Sequence, residues 1–201
     1  FKSVFKVTDC PEIHSGGFHF KFDRGAYEDP ASQLWQIMPI WVDQAAEPTR
    51  DNLTTFILKF RSPEVYQQTL EELKKLDVHV FLFLKWLKRL KVVDETSGRT
   101  ATIENQGQSG DIITLRNDAL THRFVVFRRQ SLVPPDVAKD PTLEFYKRQR
   151  VIQREVVVAF AINETGNLEA IEDASTLGSV SSFLPLVEER SGAKFLIQGD
   201  F

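Results

Sequence analysis

The sequence has few residues that react or cross-link. It contains one cysteine, Cys10, and one methionine among 201 residues. A single cysteine excludes a disulfide within the chain and is typical of a reducing compartment, so an intracellular location, cytoplasmic or nuclear, is expected. The longest strongly apolar run, from Val78 to Leu84, is far shorter than the roughly 20 residues that a membrane-spanning helix needs. No signal peptide is visible, and a membrane is not an expected partner.

The sequence also lacks an excess of either charge, since 25 basic and 28 acidic residues give a net charge of -3. Nucleic acid is therefore not an expected partner of the chain as a whole. Two local basic clusters stand out, one around Trp86 (Lys85, Lys88, Arg89, Lys91) and one around Tyr146 (Lys147, Arg148, Arg150, Arg154). Such clusters can bind single-stranded nucleic acid, but they are also typical of the solvated face of a helix.

Aromatic residues are abundant, with 16 Phe and 3 Trp in a chain that is 42% hydrophobic. Aromatic and β-branched residues favour half-buried pleated surfaces, so an α+β fold with much sheet is expected. The length fits one large domain or two small ones. The chain starts at Phe1 without Met and ends in a strand-like segment, 194–201. We therefore expect it to be a piece of a longer protein.

The first ninety residues alternate between short strands and helices. Residues 13–22 predict a hairpin with Gly16 and Gly17 at its turn, and 34–42 and 53–60 predict two further strands. Ser62-Pro63-Glu64 is a good helix start, and the helix that follows would bury the stripe Tyr66, Leu70, Leu73 and Leu76. A second helix, over 78–89, is apolar almost all round and is expected to be buried on several sides.

The remainder predicts mostly sheet. Two hairpins are expected, from 90–94 with 99–105 and from 111–116 with 122–129, followed by a short helix over 142–149. Three more strands are expected over 155–162, 179–186 and 194–201. The polar, acidic segment 163–178 predicts a surface loop.

Candidate catalytic and metal-binding residues are sparse. Cys10, His14 and His19 are the donor types that zinc uses, but no fourth ligand lies at a recognisable spacing, so no metal site is expected. No nucleophile triad is convincing, and no catalytic residue is predicted. His79 lies in an apolar stretch and is interpreted as a core histidine with satisfied hydrogen bonds.

Three stretches resemble the GHKL ATPase superfamily, and within it the large sacsin-like and NO VEIN-like proteins. They are Phe1-Lys2-Ser3-Val4-Phe5-Lys6-Val7-Thr8-Asp9-Cys10-Pro11, residues 80–90, and residues 182–201. In addition, Leu53-Thr54-Thr55-Phe56-Ile57-Leu58-Lys59-Phe60 resembles the closing strand of the GHKL fold. Leu53 stands where that family has Gly, which puts a close approach of nucleotide in doubt.

The resemblance implies a nucleotide site to which Phe1, Lys2, Ser3 and Thr54 contribute. Phe1, Lys2 and Ser3 correspond to the start of the helix that follows the family's Gly-x-Gly turn, where backbone N–H groups hold phosphate. Thr54 corresponds to the threonine that helps to hold adenine. The plainer alternatives are an amphipathic helix end and an ordinary strand residue.

The implied architecture is part of a GHKL (Bergerat-type) α/β sandwich over residues 1–60, then two connecting helices and a β-rich lobe over 61–201. The implied function is that of an ATP-binding, chaperone-like ATPase, in which ATP and Mg²⁺ drive a conformational change in the full-length parent. This stretch alone is expected to be inactive and to bind no cofactor tightly. Protein partners or clients are expected. The alternative is a non-catalytic protein-interaction scaffold, and a third option is nucleic-acid handling.

Overall fold

The computed structural model describes residues 3–28, 33–43, 52–118, 120–145, 151–171, 180–186 and 191–199. Two compact units divide the chain, Phe1–Lys75 and Leu76–Phe201. Among the described residues the first unit has about as much strand as helix and the second is mostly strand, so the fold is mixed α+β and strand-rich. No helix among the described residues is both long and apolar enough to cross a bilayer.

The first unit is built on a four-stranded antiparallel sheet. A one-turn helix, α1 (Val4–Val7), leads into the strands β1 (Pro11–Ser15) and β2 (Phe18–Lys21). The predicted glycine hairpin is confirmed, because Ser15 pairs with Phe18 across Gly16-Gly17 and Gly16 has a φ of 56°. Strands β3 (Ile40–Trp41) and β4 (Thr54–Leu58) complete the sheet in the order β3-β2-β1-β4.

A small aromatic core holds α1 on this sheet. Phe5, Ile13, Phe22 and Trp35 are its buried members. The ring of Phe5 meets the ring of Phe22 edge-on at 5.7 Å and that of Trp35 at 5.0 Å. Edge-to-face pairs of this kind add to the free energy gained by burying aromatic surface.

The predicted strand over 34–42 is largely wrong. A 3₁₀ helix spans Gln33–Gln36, and only Ile40–Trp41 pairs as strand. Trp35, only 4% exposed, lies in the aromatic core on this turn. Pro39 follows, and its fixed φ and missing N–H delay the start of pairing.

The helix α2 (Pro63–Lys74) begins where the sequence predicts, with Ser62 as N-cap and Pro63 at its first position. Its predicted buried stripe is wrong, because no residue of α2 is buried and Leu73 is 37% exposed. Tyr66 instead packs edge-on against Phe60 at a ring separation of 5.4 Å.

The second unit is dominated by one large sheet of nine strands. Strands β5 (Arg89–Asp94), β6 (Arg99–Ser109), β7 (Ile112–Asn117), β8 (Leu120–Leu132) and β9 (Gln153–Ile162) form an antiparallel meander. Both predicted hairpins and the predicted strand over 155–162 are confirmed.

Four shorter strands complete this sheet: β10 (Leu168–Glu169), β11 (Val180–Ser182), β12 (Leu184–Pro185) and β13 (Leu196–Gly199). The strand order is β12-β11-β13-β9-β8-β7-β6-β5, with β10 on β9, and β11 pairs with β13 in parallel. Two one-turn helices, α3 (Pro135–Ala138) and α4 (Thr142–Phe145), follow β8. The rest of the predicted helix, 146–149, and residues 172–178 of the predicted loop lie outside the described residues.

The predicted helix over 78–89 is wrong in kind. A 3₁₀ turn spans Val78–Phe81, and the chain then runs without regular structure to β5. Val78, Phe81, Leu82 and Phe83 are all buried against one face of the large sheet. The run is apolar on all sides because it fills the core beside the sheet. An irregular segment can bury neighbouring residues there without following a helical period.

Candidate functional site

Of the residues predicted to bind phosphate, Ser3 lies at the start of α1. Phe1 and Lys2 are outside the described residues. Ser3 stands at the N-cap position of α1, its side chain makes no capping hydrogen bond, and its carbonyl accepts from the backbone N–H of Lys6 at 3.1 Å. Ser3 therefore begins α1 without a side-chain cap.

Arg61 ties α1 to the end of β4. Its guanidinium donates to the carbonyl of Phe5 at 2.7 Å, and its backbone N–H donates to the carbonyl of Val7 at 3.0 Å. The same guanidinium lies 3.0 Å from the Asp9 carboxylate, which also faces Arg24 at 3.4 Å. Helix α1 is thus held against the sheet that contains the strand with Thr54.

The pairing register places Thr54 relative to this helix. In the β1–β4 pair, Pro11 faces Leu58 at the α1 end, and Ser15 faces Thr54 at the other. Ile13 faces both Phe20 and Phe56, so Thr54, two residues from Phe56, is on the face that α1 covers. Four residues of strand separate the two ends, about 13 Å. Ser3 and Thr54 therefore share a sheet face but are not brought together.

Thr54 lies on an exposed surface of hydroxyl and apolar groups. Its Oγ1 is 2.8 Å from the Oγ of Ser15, and both groups face solvent. Phe18, Leu53 and Phe56 are between 49% and 63% exposed around this pair. Hydroxyls beside exposed aromatic surface can hydrogen-bond and pack against a planar heterocycle.

The opposite face of the same sheet carries a hydrogen-bonded chain of side chains. Nε2 of His14 lies 2.7 Å from a Glu12 carboxylate oxygen, and its Nδ1 lies 2.8 Å from Nδ1 of His19. His14 is 1% exposed, so both of its ring nitrogens are satisfied inside the protein.

Cys10 does not join this pair. No group of three or more His, Cys, Asp or Glu side chains that could hold a metal occurs in the part of the chain that the structure describes. Burial raises the pKa of the Cys10 thiol, and the neighbouring Asp23 carboxylate raises it further. The thiol is therefore protonated at neutral pH and poorly nucleophilic.

A cleft of about 680 Å³ in the second unit combines titratable groups that sequence reasoning treated as unremarkable. Asp77 and His79 line it from the 3₁₀ turn, and His122 and Arg123 line it from β8. The Asp77 carboxylate accepts from the His79 ring at 2.7 Å and from its backbone N–H at 3.0 Å. His79 is thus a cleft residue that also packs edge-on against the Phe124 ring at 5.4 Å. The sequence signal was the Asp-x-His spacing.

The protonation of this cleft follows from its contacts. Burial acts to raise the pKa of Asp77, but the hydrogen bonds and positive charge of His79 outweigh it and hold that pKa below its ordinary value. Burial lowers the pKa of His122, and His79 lowers it further against the opposing pull of Asp77. The cleft accordingly holds an ionised Asp77 and a neutral His122 at pH 7.

The comparisons with known proteins give one relative. The chain is similar to Protein NO VEIN of Arabidopsis thaliana, with 27% identity over 223 residues. The match covers 100% of this chain and 7% of the relative's length. No family model matches the chain, and no solved structure matches it.

The likeness to NO VEIN agrees with the resemblance to NO VEIN-like proteins seen in the sequence. The chain spans about 7% of that relative's length, so the activity and partners of the whole protein do not carry over to this chain.

His122 is expected to make the second unit less stable in acid. Its folded pKa lies below the unfolded value, so between the two the unfolded chain binds a proton that the folded chain does not. Stability is therefore lost as pH falls below about 6.5. Urea unfolding at pH 7.5 and 5.5 should show a smaller drop in midpoint for His122→Gln than for the parent.

Thr121→Ala, a neighbouring change without a titrating group, should keep the parental pH dependence. An identical drop in midpoint for His122→Gln and the parent would contradict the assignment.

Proposed function

We propose that the first unit is the closing part of a GHKL-type nucleotide-binding domain within a longer NO VEIN-like protein. In that protein, ATP and Mg²⁺ binding and slow hydrolysis would drive a chaperone-like conformational change. The observation that carries the proposal is the β1–β4 register, which sets Thr54 on the face that α1 covers and at the opposite end from α1. A nucleotide lying along that face would meet Thr54 at its base and the start of α1 at its phosphates.

The geometry of Thr54 supports a role at the base of the nucleotide. Its hydroxyl is exposed and makes one hydrogen bond, to Ser15. A hydroxyl has one donor and two acceptor positions, so Thr54 can also hydrogen-bond to a ligand. Leu53, 49% exposed, takes the place of the family's Gly beside it. A leucine side chain there adds apolar surface to the rim, and it also limits how closely a purine can approach the backbone.

Much of the proposed site has no counterpart in the printed sequence. The family's Mg²⁺-positioning Asn helix, its water-activating acid and its adenine-reading Asp all precede the Gly-x-Gly turn. This chain alone should therefore bind ATP weakly, and a longer chain that includes the preceding encoded region should bind it well.

Titration with a fluorescent ATP analogue tests the proposal. This chain alone should show no saturable binding of the analogue up to about 1 mM, and the longer chain should bind it with micromolar affinity. In the longer chain, Thr54→Val should weaken binding by roughly 5- to 10-fold, since one hydrogen bond contributes about 1 kcal/mol.

Thr55→Val is the matched control, because Thr55 faces His14 on the other side of the sheet. It makes the same change of hydroxyl to methyl and should leave the affinity unaltered. Micromolar binding of the analogue by this chain alone would contradict the proposal. So would a loss of affinity in Thr55→Val but not in Thr54→Val.

A second candidate function is a protein-interaction scaffold. Phe18 and Trp41, 63% and 65% exposed, pack together at a ring separation of 6.2 Å on the adjacent strands β2 and β3 of the first unit's sheet. Exposed aromatic pairs are frequent at protein interfaces. The residues encoded before Phe1 discriminate the two: a Glu/Asp-x-x-x-Asn helix, Asp-x-Gly and Gly-x-Gly favour the ATPase, and their absence favours the scaffold.

A further inference from the structure

A groove in the second unit joins two adjacent cavities on the core face of the large sheet. Their volumes are about 320 and 350 Å³. Both are lined by Lys85, Glu155, Phe183 and Gln198, so they form one continuous depression. It begins where the apolar plug of Val78–Phe83 ends and the side chains on β8, β9 and β13 become polar.

Basic side chains dominate this groove. Among the described residues that line it, Lys85, Lys88, Arg128 and Arg154 are basic and Glu155 is the acid. The Glu155 carboxylate lies 3.8 Å from both Lys85 Nζ and Arg128 Nη1, so it draws two cations toward one point without neutralising both. The described lining residues therefore carry a net positive charge, opposite in sign to the net charge of -3 on the whole chain.

One aromatic side chain, Phe183, lines the groove, and a second, Trp86, directly follows the lining residue Lys85 in sequence. Trp86, between Lys85 and Lys88 in sequence, is 94% exposed. Phe183 is 53% exposed and has a φ of 63°, a conformation that costs a non-glycine residue free energy. The side-chain oxygen of Gln198, a residue only 7% exposed, accepts from the Phe183 N–H at 2.9 Å and helps to hold it there. Such strain is typical of functional sites.

Amide side chains supply the remaining polar lining. Unlike a purely basic surface, an amide offers both a donor and an acceptor, as the edge of a nucleobase does. The amides belong to Asn105, Gln108, Gln130, Gln153 and Gln198. Three of them already make one hydrogen bond within the protein, Asn105 and Gln198 as acceptors and Gln108 as a donor, and each keeps its other polar atom for a ligand. An acidic peptide would use the cations, and its main chain would match the amides, but its acidic side chains would offer no planar ring to the exposed aromatic faces.

We propose that this groove binds single-stranded nucleic acid, with bases stacked on Trp86 and Phe183 and phosphates against Lys85, Lys88, Arg128 and Arg154. Basic grooves with exposed aromatic side chains are how proteins hold single strands without reading their sequence. The net charge of the whole chain argues against a nucleic-acid partner, because it adds the basic side chains of this groove to an acidic excess elsewhere. A duplex has its bases already stacked and offers no faces to the two rings.

Fluorescence anisotropy with labelled U12 and dT12 tests the proposal on the whole chain. Binding is expected at about 50 mM salt, weakening steeply as salt rises because counterions are released from the strand. Trp86→Ala should weaken binding by roughly 5-fold or more, since stacking contributes about 1–3 kcal/mol per base. The double variant Lys85→Gln/Arg128→Gln should reduce the salt slope by about 1.4.

Two matched controls separate the groove from general charge and general aromaticity. Lys91 belongs to the same basic cluster but faces Thr102 on the other side of the sheet, so Lys91→Gln should bind as the parent does. Trp41→Ala removes another exposed tryptophan, 65% exposed, from the first unit and should also leave binding unchanged. All of these side chains are exposed or lie at the groove rim, so folding should be retained, which circular dichroism would verify.

Three results would overturn the proposal. One is no binding of either oligonucleotide at low salt. Another is Trp86→Ala binding as tightly as the parent. The third is displacement of the probe by a 12-residue polyglutamate, or by duplex of the same length, as effectively as by unlabelled single strand.

Discussion

Truncating Phe81 to alanine is expected to lower the free energy of unfolding of the second unit by about 3–5 kcal/mol. Phe81 is 1% exposed and lies in the middle of the core cluster, together with Leu82 and Phe83. Large-to-small changes at such a site lose the transfer free energy of the ring and leave a cavity. Urea unfolding followed by circular dichroism measures the loss.

Phe127→Ala is the matched control for this change. Phe127 lies on β8 with its ring on the other face of the sheet, 54% exposed and 6.1 Å from the ring of Phe160. The same deletion of atoms there should cost about 1 kcal/mol or less. Equal losses for the two variants would show that the Val78–Phe83 segment does not plug the core.

The strands of the second unit were predictable because their signals are local. Residues 90–94 and 99–105 alternate apolar and polar side chains around a Gly-containing turn, and the pairing Asp94↔Arg99 follows. The segment over Val78–Phe83 was mispredicted because a run of apolar residues has no period of its own. Only the sheet it packs on decides whether the run is a helix or an irregular plug.

The candidate sites divide in the same way. Thr54 could be singled out because it belongs to a motif that is contiguous along the chain. The groove and the Asp77–His79–His122 cleft had only partial signals, the basic cluster around Trp86 and the Asp-x-His spacing, because the residues that complete them lie on strands far apart in sequence. The parallel pairing of β11 with β13, which brings Phe183 to Gln198, leaves no local signal.

Replacing His14 by alanine is also expected to have a large effect, because His14 links Glu12 to His19 by two hydrogen bonds. The direction of each bond depends on which ring nitrogen carries the proton. An ionised Glu12 carboxylate only accepts, so Nε2 of His14 donates to it. A neutral His14 then accepts at Nδ1, and Nδ1 of His19 is the donor. The two rings must therefore adopt opposite tautomers, with the proton on Nε2 in His14 and on Nδ1 in His19.

His14→Ala should lower the free energy of unfolding of the first unit by about 2–4 kcal/mol. It removes a ring that is 1% exposed and leaves both the Glu12 carboxylate, 15% exposed, and the ring of His19 without their partner. Glu12→Gln keeps an acceptor oxygen for His14, so it should cost about 1 kcal/mol or less if the protons are ordered as above. Urea unfolding of the two variants measures the difference.

Nitrogen-15 NMR of the imidazole rings tests the proton order directly, because a protonated ring nitrogen and a bare one resonate far apart. His14 should show its proton at Nε2 and His19 at Nδ1. If Glu12→Gln proved as damaging as His14→Ala, the charge of Glu12 rather than its acceptor oxygen would be what His14 requires. His14 would then be an imidazolium that donates from both nitrogens, and His19 would accept at Nδ1 and carry its proton at Nε2 as a donor.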